Sequence, residues 1–361
     1  MKSAAASMAT NHLRNKRNAH KRDTNSSRAS QRRIACVLND EPARTNDASR
    51  YSLRMRVVSL LPSATELLIA VGGRDLLVGR SHECDFPLGL QGVPTLTRAR
   101  THGLAHGSSS SAIDAEVSAA LATGASLYEL DETLLAQLEP DVIITQNLCE
   151  VCSIDLRTVE RVANTLKKKP RVLSLDPKSV FDVFDDLLRV GDAVGRPAQA
   201  EAAMVHLRAR YWSAIDFVNP FISGPETLFL EWADPPFVGG HWTPALIAAA
   251  GARHSLNVAG AKSRRVAPEE ILEAAPERVI ICPCGFDLAR VREDLAQLEK
   301  TRWWPLLPAV LDRKPGAIAL VDGNQMFNRP GPRLVDAFEW LVGWINDRDE
   351  LIPPTFPVEY L

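Results

Sequence analysis

Apolar residues along this chain fall in short blocks separated by glycine, proline and polar clusters. Residues 56–61 (RVVSLL) are β-branched and end at Pro62, the pattern of a short buried strand. Ser63-Ala-Thr-Glu66 then reads as a capping box, and the apolar run 67–71 stopped by Gly72-Gly73 reads as the helix it opens. The alternation recurs, with strands expected at 76–79, 140–145 and 171–175 and helices at 112–123, 131–138 and 154–167. Strands alternating with helices predict βαβ units and a mainly parallel sheet. From 176 to 218 the pattern changes. Val180, Phe184, Leu187 and Val194, then Ala202, Val205, Ala209 and Trp212, recur at helical spacing, so one or two long helices without an intervening strand are expected. Strands resume at 227–230, 278–282 and 317–321, with helices at 244–250, 268–275 and 333–345. The chain therefore divides into a leader (1–55), an N-terminal α/β lobe (56–175), linking helices (176–218), a C-terminal α/β lobe (219–346) and a tail (347–361). Two such lobes favour a ligand held between them, outside the carboxyl ends of the strands.

Charge sharpens the first boundary. The 361 residues carry a formal net charge of −2, from 42 basic and 44 acidic residues. Residues 1–55 hold twelve of the basic and four of the acidic ones, a local charge of +8, which leaves 30 basic against 40 acidic residues and a charge of −10 for the body. The leader has no apolar stretch of the kind a secretory signal needs. Three readings stay open: an Arg/Ser-rich transit peptide, a start assigned upstream of the true one near Met55, or a basic tail. As written, the sequence points to a cytoplasmic or organellar location. At 45% hydrophobic the chain can bury a core, which excludes disorder throughout. No window approaches about 18 uninterrupted apolar residues, so no transmembrane helix is expected, and the acidic body argues against nucleic acid as a partner.

Polar, sulfur and aromatic residues gather just after the expected strands. His82, Glu83 and Cys84 follow one, Cys149 and Cys152 form a C-x-x-C after another, and Cys282 and Cys284 follow a third, with His241 in a further loop. Thiolates and imidazoles suit zinc or another transition metal, with Cys84, Cys149, Cys152 and Cys284 as candidate ligands. A redox pair and plain buried cysteines are the alternatives. Six cysteines are too few for a disulfide scaffold. Trp232, Phe237, Trp242, Phe286 and Phe327 would hold a large planar ligand if they line the crevice, or would be ordinary core if they do not. Glu66 is explained by its capping position, and Glu269-Glu270 by the dipole of the helix they open. No G-x-S-x-G, P-loop or G-x-G-x-x-G is present, which favours a binder over an enzyme.

The stretches RVVSLLPSATE (56–66), VGRSHECDFP (78–87) and LEPDVII (138–144), followed by DPPFVGG (234–240), PEEIL (268–272) and FNRPGPR (327–333), resemble the cobalamin- and iron-siderophore-type substrate-binding proteins of ABC importers, and best their cobalamin-binding branch. The resemblance spans about residues 56–346. It implies an α/β fold of two lobes joined by a long backbone helix (class III periplasmic-binding-protein-like) with little hinge motion. It also implies cobalamin, another corrinoid or a related metal chelate as ligand. Loops and resemblance together give Pro62, Ser63, His82, Glu83, Cys84, Gln146, Glu231, Trp232, Phe237, His241, Trp242, Phe286, Phe327, Asn328 and Arg329 as candidate ligand contacts. The resemblance further implies an ABC permease that docks on a surface glutamate of each lobe, with Glu269 at the matching place in the C-terminal lobe and Glu160 a candidate in the other. A monomer is expected. By family the protein would be periplasmic, yet no export signal is seen. The His-Glu-Cys, C-x-x-C and Cys-Pro-Cys loops depart from the family, which keeps open a metal-binding protein or metalloenzyme, and a scaffold retaining only the fold.

Overall fold

The computed structural model describes residues 54–100, 108–123, 126–147 and 154–361. Strand β1 (Val57–Ser59) is wholly buried and leads into α1 (Pro62–Ala70) and then β2 (Leu77–Arg80). Strand β3 (Thr97–Ala99), helix α2 (Ser110–Ala122) and strand β4 (Tyr128–Leu130) follow, β3 and β4 forming a small antiparallel pair. Helix α3 (Glu132–Leu138), β5 (Val142–Gln146), α4 (Leu156–Thr165) and β6 (Arg171–Leu175) complete the N-terminal lobe. Its sheet has the order β2-β1-β5-β6 and is parallel throughout. Helices cover such a sheet on both faces, which is why β1 and β5 are buried at every position instead of alternating.

The expected capping box at 63–66 does not form. Helix α1 starts at Pro62, with Leu61 as a cap that makes no side-chain bond. Leu61 has no side-chain acceptor, and the fixed φ of proline, with no N–H left over, suits the first helical position. Ser63 and Glu66 therefore lie inside the helix, where Glu66 is buried and free to reach across the molecule.

Two helices link the lobes, α5 (Val180–Ala193) and the 19-residue α6 (Pro197–Ile215). The capping box absent from α1 is found at α5: Ser179 Oγ accepts from the Asp182 amide at 3.2 Å, and Asp182 Oδ2 accepts from the Ser179 amide at 2.8 Å. Gly195, in a left-handed conformation at φ 69°, and Pro197 at the start of α6 break what would otherwise be one helix. Helix α5 packs on α1, and α6 on the final helix of the chain.

The C-terminal lobe runs β7 (Thr227–Trp232), β8 (Phe237–Val238), α7 (Thr243–Ala249), β9 (Arg264–Arg265), α8 (Pro268–Ala274), β10 (Arg278–Ile281), α9 (Leu288–Leu298), α10 (Pro308–Leu311), β11 (Ile318–Val321), α11 (Leu334–Ile345) and β12 (Val358–Tyr360). Its sheet has the order β12-β11-β10-β7-β8-β9, with β7, β10 and β11 parallel and the outer strands antiparallel. Residues 347–361, expected as a tail, belong to this lobe. Strand β12 pairs with β11, and Phe356 stacks on Trp340 with ring centroids 4.9 Å apart. The largest apolar cluster is shared: Leu67 and Leu187 of one side and Phe229 and Trp340 of the other are in it, with Tyr211 of α6 stacked on Phe338 at 4.3 Å.

Candidate functional site: the junction of the two lobes

Residues that follow β1, β2 and β6 of the first lobe face residues that follow β7 and β11 of the second: Glu66 meets Arg333, Asp85 meets Arg329 and Asn324, and Asp176 faces His241. On one side the meeting is sealed by charge. Glu66 accepts from Arg333 Nε at 2.9 Å and Arg333 Nη2 at 2.6 Å, and Arg329 Nη1 lies 3.6 Å away. All three side chains are less than 10% exposed. Arg329 continues the network to the loop after β2, donating to Asp85 at 2.6 Å and to Asn324 Oδ1 at 2.8 Å, while Asn324 Nδ2 donates to Asp85 at 2.9 Å. Burial alone would raise the Asp85 carboxyl. The hydrogen bond and charge of Arg329, with the Asn324 bond, outweigh it and hold that carboxyl below its ordinary value. The Arg333 guanidinium also lies 4.0 Å above the ring of Phe86.

On the other side α2 reaches over. Ser110 Oγ donates to Asp294 at 2.6 and 2.8 Å, Arg290 Nη2 to the Ser108 carbonyl at 2.5 Å, Trp232 Nε1 to the Ser110 carbonyl at 3.2 Å, and Arg265 to Asp114 at 2.9 Å. Ile113 is buried among C-terminal-lobe residues that include Phe286. Burial raises the Asp294 carboxyl despite the Ser110 bonds and Arg290.

Between these two seams lie several expected site residues. Pro62 and His82 are half-buried, Glu83 is exposed, and Ser63 and Gln146 are buried at the strand ends. His82 Nδ1 is 2.8 Å from Thr97 Oγ1, and the Thr97 hydroxyl in turn donates to Ser81. If the single Thr97 proton is given to Ser81, His82 donates through Nδ1 and Nε2 is left with the lone pair. Burial, with Arg80 beside it, lowers the His82 pKa and keeps the ring neutral. His241 holds a left-handed φ of 52° and is likewise held neutral, first by burial and then by Lys262 of its own lobe, with Asp176 and Lys178 facing it from the other. Glu231 accepts from Ser263 at 2.7 and 2.8 Å. Trp232 and Phe286 form a tilted pair at 5.1 Å, and Phe237 sits under Arg265.

Other expected contacts sit elsewhere. Phe327 is 1% exposed, wedged between Phe229 and Trp340, and Trp242 is buried with its Nε1 donating to the Phe327 carbonyl at 2.7 Å. Both are core, which corrects their placement on a ligand face: the apolar ring is worth more packed than at a wet rim. Asn328 and Arg329 serve the loop and the seam, Asn328 Nδ2 holding the carbonyls of Cys282 and Gly323 at 3.1 and 2.9 Å. Gly323 lets the two loops lie backbone to backbone, since a Cβ there would lie 2.0 Å from the Pro283 carbonyl oxygen. Cys84, expected as a metal ligand, stands in no group of candidate ligands among the described residues. It is buried, Thr65 Oγ1 donates to its sulfur at 3.0 Å, and burial pushes the thiol up to about 11. Cys284 is half-buried, and Cys149 and Cys152 lie outside the described residues. Among the described residues no group of three or more His, Cys, Asp or Glu side chains could hold a metal ion. Two surface cavities, about 280 Å³ beside Tyr128 and Glu129 and about 720 Å³ beside Val218 and Arg253, lie away from the junction. No described helix is long and apolar enough to cross a membrane.

Glu66, Asp85, Phe86, Arg290 and Arg333 were missed by sequence reasoning. The available signal was the i,i+4 spacing of Arg329 and Arg333 beside proline and glycine, in the loop just before the final helix.

Residues 57–314 match the family of periplasmic binding proteins. The chain belongs to that family. Its members are substrate-binding proteins for transport and not enzymes. Among relatives of this periplasmic binding protein is the vitamin B12-binding protein of Photorhabdus laumondii subsp. laumondii, 23% identical over 302 residues, covering 83% of this chain and 90% of the relative. Similar solved structures include the periplasmic heme-binding protein RhuT from Roseiflexus sp. RS-1 in apo form (TM-score 0.61, 20% identity, 81% of this chain and 98% of that one). The periplasmic vitamin B12-binding protein BtuF of Vibrio cholerae is also similar (TM-score 0.58, 16% identity, 82% and 98%). These likenesses establish a two-lobed class III periplasmic-binding-protein fold.

Proposed function

We propose that the chain binds a planar metal chelate, a corrinoid or a porphyrin, at the lobe junction and hands it to an ABC-type permease. The observation that carries this reading is the half-buried Trp232, backed at 5.1 Å by the buried Phe286, at a junction where the loops after the strands of the two lobes come together. A relative that binds vitamin B12 and structures that bind heme support the same ligand class. His82 would present Nε2 to the metal of the chelate, because its other nitrogen is committed to Thr97. Pro62, Glu83, Gln146, Glu231, Phe237, His241 and Cys284 would surround the ligand. Glu269 is exposed on the first turn of α8, while its neighbour Glu270 accepts from the Ala267 amide at 2.9 Å and serves the helix itself. Glu269 and Glu160 are therefore offered to the permease, on the extracytoplasmic side that the family occupies. Titration of purified protein with hemin and with cyanocobalamin, followed by absorbance and calorimetry, tests the reading. Saturable binding of one of them is expected, and the absence of a spectral change and of heat with both would overturn it.

A further inference from the structure

Two arginines of the C-terminal lobe present the same edge to different partners. In Arg333, Nε and Nη2 each donate to one oxygen of Glu66, at 2.9 and 2.6 Å, a complete fork on a carboxylate. In Arg290, Nη2 donates to the single carbonyl oxygen of Ser108 at 2.5 Å, and the buried Nε makes no hydrogen bond. One carbonyl satisfies one N–H of the fork, whereas a carboxylate or phosphate satisfies both. A buried donor left unmade is uncommon and costly. Arg290 stands on the first turn of α9, just after the carboxyl end of β10. Its guanidinium lies 4.6 Å from the centre of the Phe286 ring, which in turn leans on Trp232. The half-buried Trp232, with a half-satisfied cation held one ring away over the face of the buried Phe286, complements a flat ring that carries an acidic substituent.

We propose that Arg290 is a specificity-determining residue of the cleft, taking an oxyanion borne on the edge of the chelate in place of the Ser108 carbonyl. This rests on the functional reading given above. The acids around Arg290 leave that role open: Glu293 approaches Nε only to 3.5 Å, Asp294 gives both oxygens to Ser110, and Asp287 caps α9 by accepting from the Arg290 amide. Helix α2 stays anchored through Ser110 and Ile113 while the Ser108 carbonyl yields. Two chelate classes carry such a group, the carboxylates of a porphyrin and the phosphodiester of a corrinoid nucleotide tail.

The test compares hemin with its dimethyl ester, and cyanocobalamin with dicyanocobinamide, which lacks the phosphodiester. Each is titrated by absorbance into wild type, Arg290→Gln and Arg290→Lys. Wild type is expected to bind the oxyanion-bearing member of one pair at least tenfold more tightly. Arg290→Gln should lose that preference while keeping the affinity for the neutral member. Arg290→Lys, which keeps the charge without the fork, should fall between, and it carries the test if the glutamine variant fails to fold. Equal binding within both pairs by wild type, or an undiminished preference in a folded Arg290→Gln, overturns the proposal while leaving chelate binding intact. Binding of none of the four removes the functional reading as well.

Discussion

Glu66 of the N-terminal lobe and Arg333 of the C-terminal lobe form a two-pronged ion pair across the junction, both side chains nearly closed to solvent. Removing one partner leaves the other charge buried and unpaired, which typically costs about 3–5 kcal/mol. Glu66→Gln should therefore lower the stability by about that amount in urea denaturation. A Glu66→Leu/Arg333→Leu double substitution should cost clearly less, because neither charge is then stranded. A double variant as unstable as the sum of the single ones would show that the pair itself, rather than the stranded charge, sets the loss.

Asp186 on α5 is buried, with Oδ2 unpaired and Oδ1 held by Arg189 at 2.6 Å. Burial raises its carboxyl to about 6 despite Arg189. The folded state then holds the proton more tightly than the unfolded chain, whose carboxyl titrates near its ordinary value. This group favours folding most below about pH 4 and loses that contribution as pH rises through about 6. Asp186→Asn should stabilise the protein at pH 7 by about 1–2 kcal/mol and should flatten the stability profile between those limits. Denaturation at pH 5 and pH 7.5 measures both effects, and an equal loss at the two values would refute the assignment.

His82 is held neutral in the folded protein, and Nε2 is the ring nitrogen that Thr97 does not engage. If that nitrogen meets the metal of a chelate, His82→Gln should weaken chelate binding by about tenfold and change the absorbance of the bound chromophore. Because the ring's pKa is lowered, wild-type ligation should persist at pH 6 and fail only under more acidic conditions. An unchanged spectrum of the bound chelate in the variant would place the imidazole away from the metal.

The three described cysteines differ in access. Cys84 and Cys282 are buried, and burial pushes both thiols up, whereas Cys284 is half-exposed. Alkylation of the native protein at pH 7.5 should label Cys284 first, with Cys84 and Cys282 reacting only on unfolding. Peptide mass spectrometry over a time course reads the order directly. Early labelling of Cys84 would mean that the loop after β2 opens.

Much of the architecture was written in short-range pattern. Residues 171–175 form a strand with the expected limits, and Gly195 and Pro197 mark the one break in the linking helices. Such signals are local, and local propensity decides them. The junction was less legible. Glu66 looked like a cap because serine three positions earlier made the local pattern, but Pro62 had already settled the helix start, and the partner of Glu66 lies 267 residues away. Phe327 and Trp242 looked like rim aromatics from the prolines and glycines around them. Their burial depends on Phe229 and Trp340, which no window of sequence brings near. Residues 347–361 were read only as a tail because a three-residue edge strand has almost no periodicity of its own, and β11 supplies what it lacks.

Tyr211 stacked on Phe338 bears on how the molecule comes apart. Because the apolar cluster around that stack draws on both lobes, neither can melt while the other keeps its interior dry. The division into lobes is thus one of shape and not of thermodynamics. Heating should give a single cooperative transition, and a ligand gripped at the junction should raise its midpoint for the whole chain at once.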